Sequence, residues 1–252
     1  SFTVSVTKGL YKCFGCGKAG NALGFLMDIE QISFIEALRR LAAQCGVDLQ
    51  EQPESAEELE ARNRRERLME VMAWANDYFR RQLLETGEGR REGLAYFTNR
   101  GLTPQIVESF QLGYSPNAAS AITEAGLQRG FTLEELVAVG LTGTRENSAF
   151  DRFRGRVIFP IHSLSSRVLA FAGRALQVTE RTAKYINSPG TELYQKGDML
   201  FGLWRAKQEI VRQGRAIVVE GYMDVLSMHQ LGITHVVATC GTSLTGPQAA
   251  LL

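Results

Sequence analysis

The run Ala216-Ile-Val-Val-Glu220-Gly-Tyr-Met-Asp224 places two carboxylates where an apolar, β-branched stretch meets a helix. Ala216 to Val219 follows the breaker pair Gly214-Arg215 and reads as a buried strand. Glu220 then stands at the carboxyl end of that strand, and Gly221 allows a tight turn. Asp224 falls in the first turn of a helix that continues through Val225 to Leu231. In open α/β sheets ligands bind at this edge, and acidic oxygens suit a hard divalent cation. The same spacing also fits a helix in which Asp224 is only a first-turn acid favoured by the dipole. Spacing alone leaves both readings open. Ile233 to Thr239 reads as a second strand, which makes the unit βαβ.

A second candidate for chemistry is Cys13-x-x-Cys16, flanked by Phe14, Gly15 and Gly17. This is the spacing of half a tetrahedral zinc site, which normally takes four ligands. The histidines, His162, His229 and His235, have no metal-pair spacing with the other cysteines. His229 reads as a helix-face residue and His235 as a strand residue, neither of them catalytic. A redox Cys-x-x-Cys would need a thioredoxin-like βαβ setting that is absent here, so a zinc-ribbon remnant is the better reading. The four cysteines stand at 13, 16, 45 and 240, which argues against a disulfide framework and for a reducing cytosol. Cys45 is expected to pack on the apolar side of its helix.

The elements that must position these groups follow from periodicity. Residues 1–50 read as a small unit with a hairpin, Val4-Ser-Val6 against Leu10 to Cys13, turning at Thr7-Lys-Gly9. Helices then run from Ala22 to Ile29 and from Ser33 to Cys45, the latter with Ser33 and Glu36 in capping-box spacing and Gly46 as its stop. Gln50 to Ser55 is polar, contains Pro53 and reads as a linker. A long amphipathic helix from Ala56 to Leu84 carries Leu68, Val71, Met72, Ala75, Tyr78 and Phe79 on one stripe, a core face. Shorter helices are expected over Glu92–Asn99, Pro104–Phe110, Ala118–Arg129, Leu133–Val139 and Trp204–Val211. Arg156 to Ile161 and Arg167 to Ala172 read as a hairpin joined by Ser163-Leu-Ser-Ser166. Helices, then a hairpin, then βαβ predict a mixed α/β fold.

Bulk properties set outer bounds. A chain of 252 residues holds one large domain or two smaller ones. Its 44% hydrophobic and 22% charged residues are ordinary for a globular protein. No apolar run approaches the ~20 residues that span a bilayer, and no signal peptide is visible. The chain lacks an initiating Met, starts inside a strand-like run and stops inside a helical one, so it is expected to be open at both ends. Net charge is only +1, yet residues 145–215 hold thirteen Lys or Arg against six Asp or Glu. Such a local basic field attracts phosphate polymers; a solvated surface balanced elsewhere would show the same count.

Three groups of motifs, taken together, resemble bacterial replicative DNA primases of the DnaG type. They are Tyr11-Lys-Cys13-Phe-Gly-Cys16-Gly-Lys-Ala-Gly-Asn-Ala with Phe25-Leu-Met27; Asp151-Arg-Phe-Arg-Gly-Arg-Val-Ile-Phe-Pro-Ile with Gly173-Arg174, Lys184-Tyr-Ile-Asn-Ser-Pro189, Lys196-Gly197 and Leu200-Phe-Gly-Leu203; and Val219-Glu-Gly-Tyr-Met-Asp224 with Cys240-Gly-Thr-Ser-Leu-Thr245. The Glu-Gly-Tyr-Met-Asp unit resembles the first motif of the Toprim fold. The resemblance implies a zinc-ribbon remnant over 1–50, a linker over 51–56, an N-terminal subdomain of the polymerase core over 57–213 and part of a Toprim subdomain over 214–252.

It further implies DNA-templated synthesis of RNA primers from nucleoside triphosphates on a single-stranded DNA template. Glu220 would be a catalytic carboxylate and a ligand for Mg²⁺ or Mn²⁺, with Asp224 a supporting acid. Lys184, Asn187 and Lys196 match positions the family uses near the nucleotide. Arg100, Arg152, Arg154 and Arg174 match its template-contacting surface. Cys13 and Cys16 would be two of four zinc ligands, the others lying before Ser1. The family's Asp-x-Asp pair would lie beyond Leu252, so this stretch alone is expected to be inactive. A replicative helicase is the implied partner, through a C-terminal domain absent here, and the cytoplasm the implied compartment. The rival readings are another Toprim enzyme, a topoisomerase or nuclease, and a non-catalytic module that binds single-stranded DNA. No topoisomerase-type nucleophilic tyrosine is identifiable.

Overall fold

A computed structural model describes residues 2–15, 17–30, 34–47, 55–146, 148–180, 182–241 and 243–252. Cys16, Ser33 of the expected capping box and most of the expected linker lie outside the described residues. The chain divides into two compact units between Ala56 and Glu57.

In the first unit, β1 (Phe2–Ser5), β2 (Leu10–Cys13) and β3 (Ala19–Asn21) form an antiparallel sheet, with Val4 opposite Tyr11 and Tyr11 opposite Gly20. The expected first strand ends early, because Val6 enters a 3₁₀ turn that Gly9, at φ 61°, closes through its N–H to the Val6 carbonyl. Strand β3 went unread, since Ala-Gly-Asn has no strand signature; Gly20 is there because a Cβ would stand 3.3 Å from the Tyr11 ring. Helix α1 (Ala22–Glu30) packs Phe25 against Phe2 and Tyr11, with ring centroids 5.6 and 5.0 Å away. Helix α2 (Phe34–Cys45) buries Ala37 and Ala42. Cys45 is exposed, against expectation, because the buried stripe ends at Ala42, one turn earlier.

The second unit begins with α3 (Ala56–Glu85), whose charged opening turns give way to a buried stripe of Leu68, Val71, Met72, Ala75, Phe79 and Leu83. A π-helical segment, Gly89–Leu94, leads into α4 (Ala95–Asn99) where a plain helix was expected. Gly89 at its start allows a close backbone approach, since a Cβ there would lie 1.8 Å from the Gln82 carbonyl oxygen. Next come α5 (Pro104–Ser109), β4 (Gly113–Ser115), α6 (Ala121–Gln128), α7 (Leu133–Ala138), β5 (Thr142–Arg145) and β6 (Ser148–Asp151). Asp151 accepts from the Ile122 and Thr123 N–H groups and the Thr123 hydroxyl at 2.9, 3.1 and 2.7 Å, which satisfies the start of α6.

The central hairpin is β7 (Arg156–His162) and β8 (Val168–Ala175). With β4 and β9 (Tyr185–Asn187) it makes an antiparallel sheet in the order β4-β7-β8-β9. Both faces are buried. Ile158, Leu169 and Phe171 pack with the α3 stripe and α7. Val157, Phe159, Ile161 and Ala172 face the other way, toward Tyr222, Val225, Val236 and Ala238.

That second layer holds β10 (Leu200–Phe201), α8 (Leu203–Gln213), β11 (Ile217–Val219), α9 (Tyr222–Gln230), β12 (Val236–Thr239) and α10 (Gly246–Ala250). Strands β11 and β12 are parallel and β10 is antiparallel to β12, in the order β10-β12-β11. The expected βαβ unit is present. Its first strand differs from expectation: β11 is an edge strand, half-buried at Ile217 and Val219 and exposed at Val218. Strand β12 starts only at Val236, since Ile233 remains in the turn that Gly232 makes at φ 83°.

Candidate functional site

The carboxyl ends of β11 and β12 open into a cleft of about 490 Å³. Strand β11 delivers Glu220, which is exposed where the chain turns into α9. Oδ2 of Asp224 accepts from the Gly221 N–H at 3.2 Å and so fixes that turn. From the neighbouring sheet, β8 delivers Arg174, the residue just ahead of β9 delivers Lys184 and the end of β9 delivers Asn187, with Arg174 opposite Tyr185 in the ladder. Arg100 arrives from the end of α4, and Lys196 from the 3₁₀ turn Lys196–Asp198.

Lys196 is held from behind. Gln248, buried in α10, donates from Nε2 to the Lys196 and Met199 carbonyls at 3.2 and 2.8 Å. Thr245 and Gln248 cap α10 reciprocally, and Thr245 also donates to the Gly197 carbonyl at 2.5 Å, so these two residues mount the turn that carries this lysine.

Charge separates these residues from the rest of the surface. Arg64, Arg67, Arg167 and Arg212 are each paired with a glutamate, at Glu192, Glu135, Glu66 and Glu209. Among the described residues no carboxylate pairs with Arg100, Arg174, Lys184 or Lys196. Four cations without a carboxylate partner among the described residues, sharing the cleft with the exposed carboxylates Glu220 and Asp224, make a wall suited to phosphate oxygens.

Aromatic residues that sequence reasoning passed over shape the cleft. The Tyr96 ring lies beneath the Arg174 guanidinium at 4.4 Å and near that of Arg100 at 5.6 Å. The spacing of Tyr96 and Arg100, one helical turn, was the available signal. Tyr222 donates to Oδ1 of Asn187 at 2.9 Å, and Nδ2 of Asn187 donates to the Cys240 carbonyl at 2.5 Å. Burial raises the pKa of the Tyr222 and Tyr185 hydroxyls and pushes the Cys240 thiol up to about 11, so none of them is a nucleophile near neutrality.

Arg156 does not line the cleft but lies behind it. It opens β7 buried, which lowers its pKa, and donates to the Gly173 and Ala183 carbonyls at 3.1 and 3.0 Å.

Two predicted arginines lie elsewhere. Arg152 is exposed and donates toward the Thr142 carbonyl at 3.4 Å. Arg154 lines a separate cleft of about 350 Å³ together with Glu88 and Glu92. His229 is structural: buried in α9, it shares a 3.0 Å hydrogen bond between Nε2 and the Val236 carbonyl.

Cys13 is half-buried at the end of β2, in a turn closed by the Gly17 N–H to its carbonyl at 2.9 Å. Among the described residues no three His, Cys, Asp or Glu side chains gather as a metal centre. For zinc, Cys13 therefore fits as a contributor, and the described residues do not complete the set. For a hard cation, Glu220 fits as an oxygen ligand, with one Asp224 oxygen already engaged.

Residues 78–207, half of the chain, match the family model for the DNA primase catalytic core, N-terminal domain. This chain belongs to the DnaG-type DNA primase family. The primase assignment extends to both ends, since residues 1–57 match the CHC2 zinc finger and residues 214–252 the Toprim domain. A DNA primase of Streptomyces coelicolor is 37% identical across 100% of this chain, which spans 39% of that protein. The crystal structure of Aquifex aeolicus primase, zinc-binding and RNA polymerase domains, is similar with a TM-score of 0.67 and 36% identity, covering 100% of this chain and 59% of that one. A DnaG primase catalytic domain bound to single-stranded DNA has a TM-score of 0.66 and 36% identity, covering 75% of this chain and 58% of that one. The chain spans about two fifths of the length of the curated primases it matches.

Proposed function

We propose that the cleft is the nucleotide- and template-holding part of a primase active site that polymerises ribonucleotides on single-stranded DNA. The observation that carries this reading is the gathering, in one cleft with Glu220, of Arg100, Arg174, Lys184 and Lys196, which have no carboxylate partner among the described residues. The similar catalytic domain bound to single-stranded DNA supports it.

In this reading the lysines take triphosphate oxygens as point charges, and the arginines take backbone phosphates with their forks. Asn187 has its amide engaged at both ends, leaving one N–H and one lone pair for a ligand. Glu220 is the catalytic carboxylate, and Asp224 holds its turn. Mg²⁺ or Mn²⁺, held by Glu220, would activate the attacking hydroxyl and neutralise charge on the α-phosphate as pyrophosphate leaves. Arg152 and Arg154 extend the basic surface beyond the cleft.

Cys13 and Cys16 are proposed as zinc ligands, and a replicative helicase as a partner of the longer protein. No helix among the described residues is long and apolar enough to cross a membrane, and we place the protein in the cytoplasm.

The test is Glu220→Gln in a chain carrying this sequence at the full length of its relatives. Primer synthesis from nucleoside triphosphates on single-stranded DNA should be lost, with DNA affinity unchanged within about twofold. Near-normal synthesis would sink the assignment.

A further inference from the structure

We propose that Arg156 is a positioning residue that sets Arg174 and Lys184 in register for a chain of phosphates, an inference that rests on the nucleotide-binding reading above. Arg156 is only 7% exposed, and among the described residues no carboxylate pairs with it. A buried guanidinium without a counter-ion is costly, and its neighbours in β7, Val157, Ile158 and Phe159, show that the strand packs well with apolar residues. The compensation is a set of carbonyls. Nη1 donates to Gly173 O at 3.1 Å and Ala183 O at 3.0 Å, with Lys184 O at 3.4 Å. Gly173 O and Ala183 O belong to the peptide groups that lead directly into Arg174 and Lys184. One guanidinium therefore grips the backbone immediately ahead of two cleft cations.

Lys184 stands one residue before β9, which begins at Tyr185. The Ala175 N–H holds its carbonyl at 2.9 Å, and the Arg156 grip on Ala183 O adds a second hold on the peptide that leads into it. Room for the grip is made by Gly173, where a Cβ would stand 3.0 Å from Arg156 Cδ and 2.7 Å from Phe153 Cδ1. The buried charge also makes the cleft wall more positive, a field that an incoming anion relieves.

The experiment is calorimetric titration of GTP with Mg²⁺ into the chain and its Arg156→Lys variant, which keeps the charge and loses the fork. Binding should weaken about five- to tenfold. In a background lacking both side chains, Arg174→Ala with Lys184→Ala, the same change should alter affinity by less than about twofold, because its effect passes through those two residues. Parent-like binding by Arg156→Lys, or an equal loss in both backgrounds, overturns the positioning role. Should the parent itself not bind GTP, the nucleotide-binding reading fails first, and this role falls with it. If circular dichroism shows that Arg156→Lys does not fold, NMR of the parent decides. Slowly exchanging Arg156 guanidinium protons that shift on GTP addition support the role, and exchange at the rate of free arginine overturns it.

Discussion

The Tyr222 hydroxyl donates to Oδ1 of Asn187 across 2.9 Å, tying the first turn of α9, just past Glu220, to the strand that follows Lys184. Asn187 passes the link on to the Cys240 carbonyl at the end of β12. One amide thus joins the antiparallel sheet to both strand ends of the βαβ unit.

Tyr222→Phe should therefore destabilise the second unit by about 0.5–1.5 kcal/mol, the net worth of a typical hydrogen bond, since its acceptor on half-buried Asn187 can turn to water. Asn187→Ala severs both bonds and should lose about 2–3 kcal/mol. Urea denaturation followed by far-ultraviolet circular dichroism measures both, and equal midpoints for parent and variants would contradict the latch.

His162 gives a pH dependence. It is buried, its ring lies 4.5 Å from that of Trp204, and Nε2 reaches Gln111 Oε1 at 3.2 Å. Burial, aided by the Arg205 charge, pushes its pKa down to about 4. The folded value lies below the unfolded one near 6.5, so the unfolded chain binds more protons between them. The stability contribution is complete above pH 6.5 and declines as pH falls toward 4, by roughly 2 kcal/mol at pH 5. His162→Gln should show a shallower fall in urea midpoint between pH 7 and pH 5.

Gly89→Ala should lose at least about 3 kcal/mol, because its Cβ would sit 1.8 Å from backbone rather than from a side chain that could move. Thermal unfolding checks this. Gly9→Ala meets nothing within 4 Å and is strained only by its φ of 61°, so it should lose about 1 kcal/mol.

Arg174 and Arg154 should separate in binding assays. Both are expected to contact nucleic-acid phosphates, so charge reversal at either should weaken single-stranded DNA binding and flatten its salt slope by about 0.7 per lost contact. Only Arg174 shares the cleft with Lys184 and Lys196, so only Arg174→Glu should weaken GTP binding as well, by about tenfold or more. Fluorescence anisotropy across a salt series measures the first effect and calorimetry the second.

Much of this was legible in the residues. The stripe of α3, the β7–β8 hairpin and the βαβ unit follow from periodicity, because a face that must be buried repeats at the helical or strand spacing. The linear motifs also carry the family, since Cys-x-x-Cys, Lys-Tyr-Ile-Asn and Glu-Gly-Tyr-Met-Asp are local spacings. Short strands such as β3, β4 and β10 were not legible: two or three residues show no alternation, and only a partner strand makes them strands. Nor could spacing show that Arg174, Lys184 and Lys196 share a cleft with Glu220 while Arg154 does not, since that depends on how two sheets are layered. The role of Arg156 was hidden for the same reason. Its worth lies in carbonyls 17 and 27 residues away, and a backbone carbonyl carries no side-chain identity for a sequence to record.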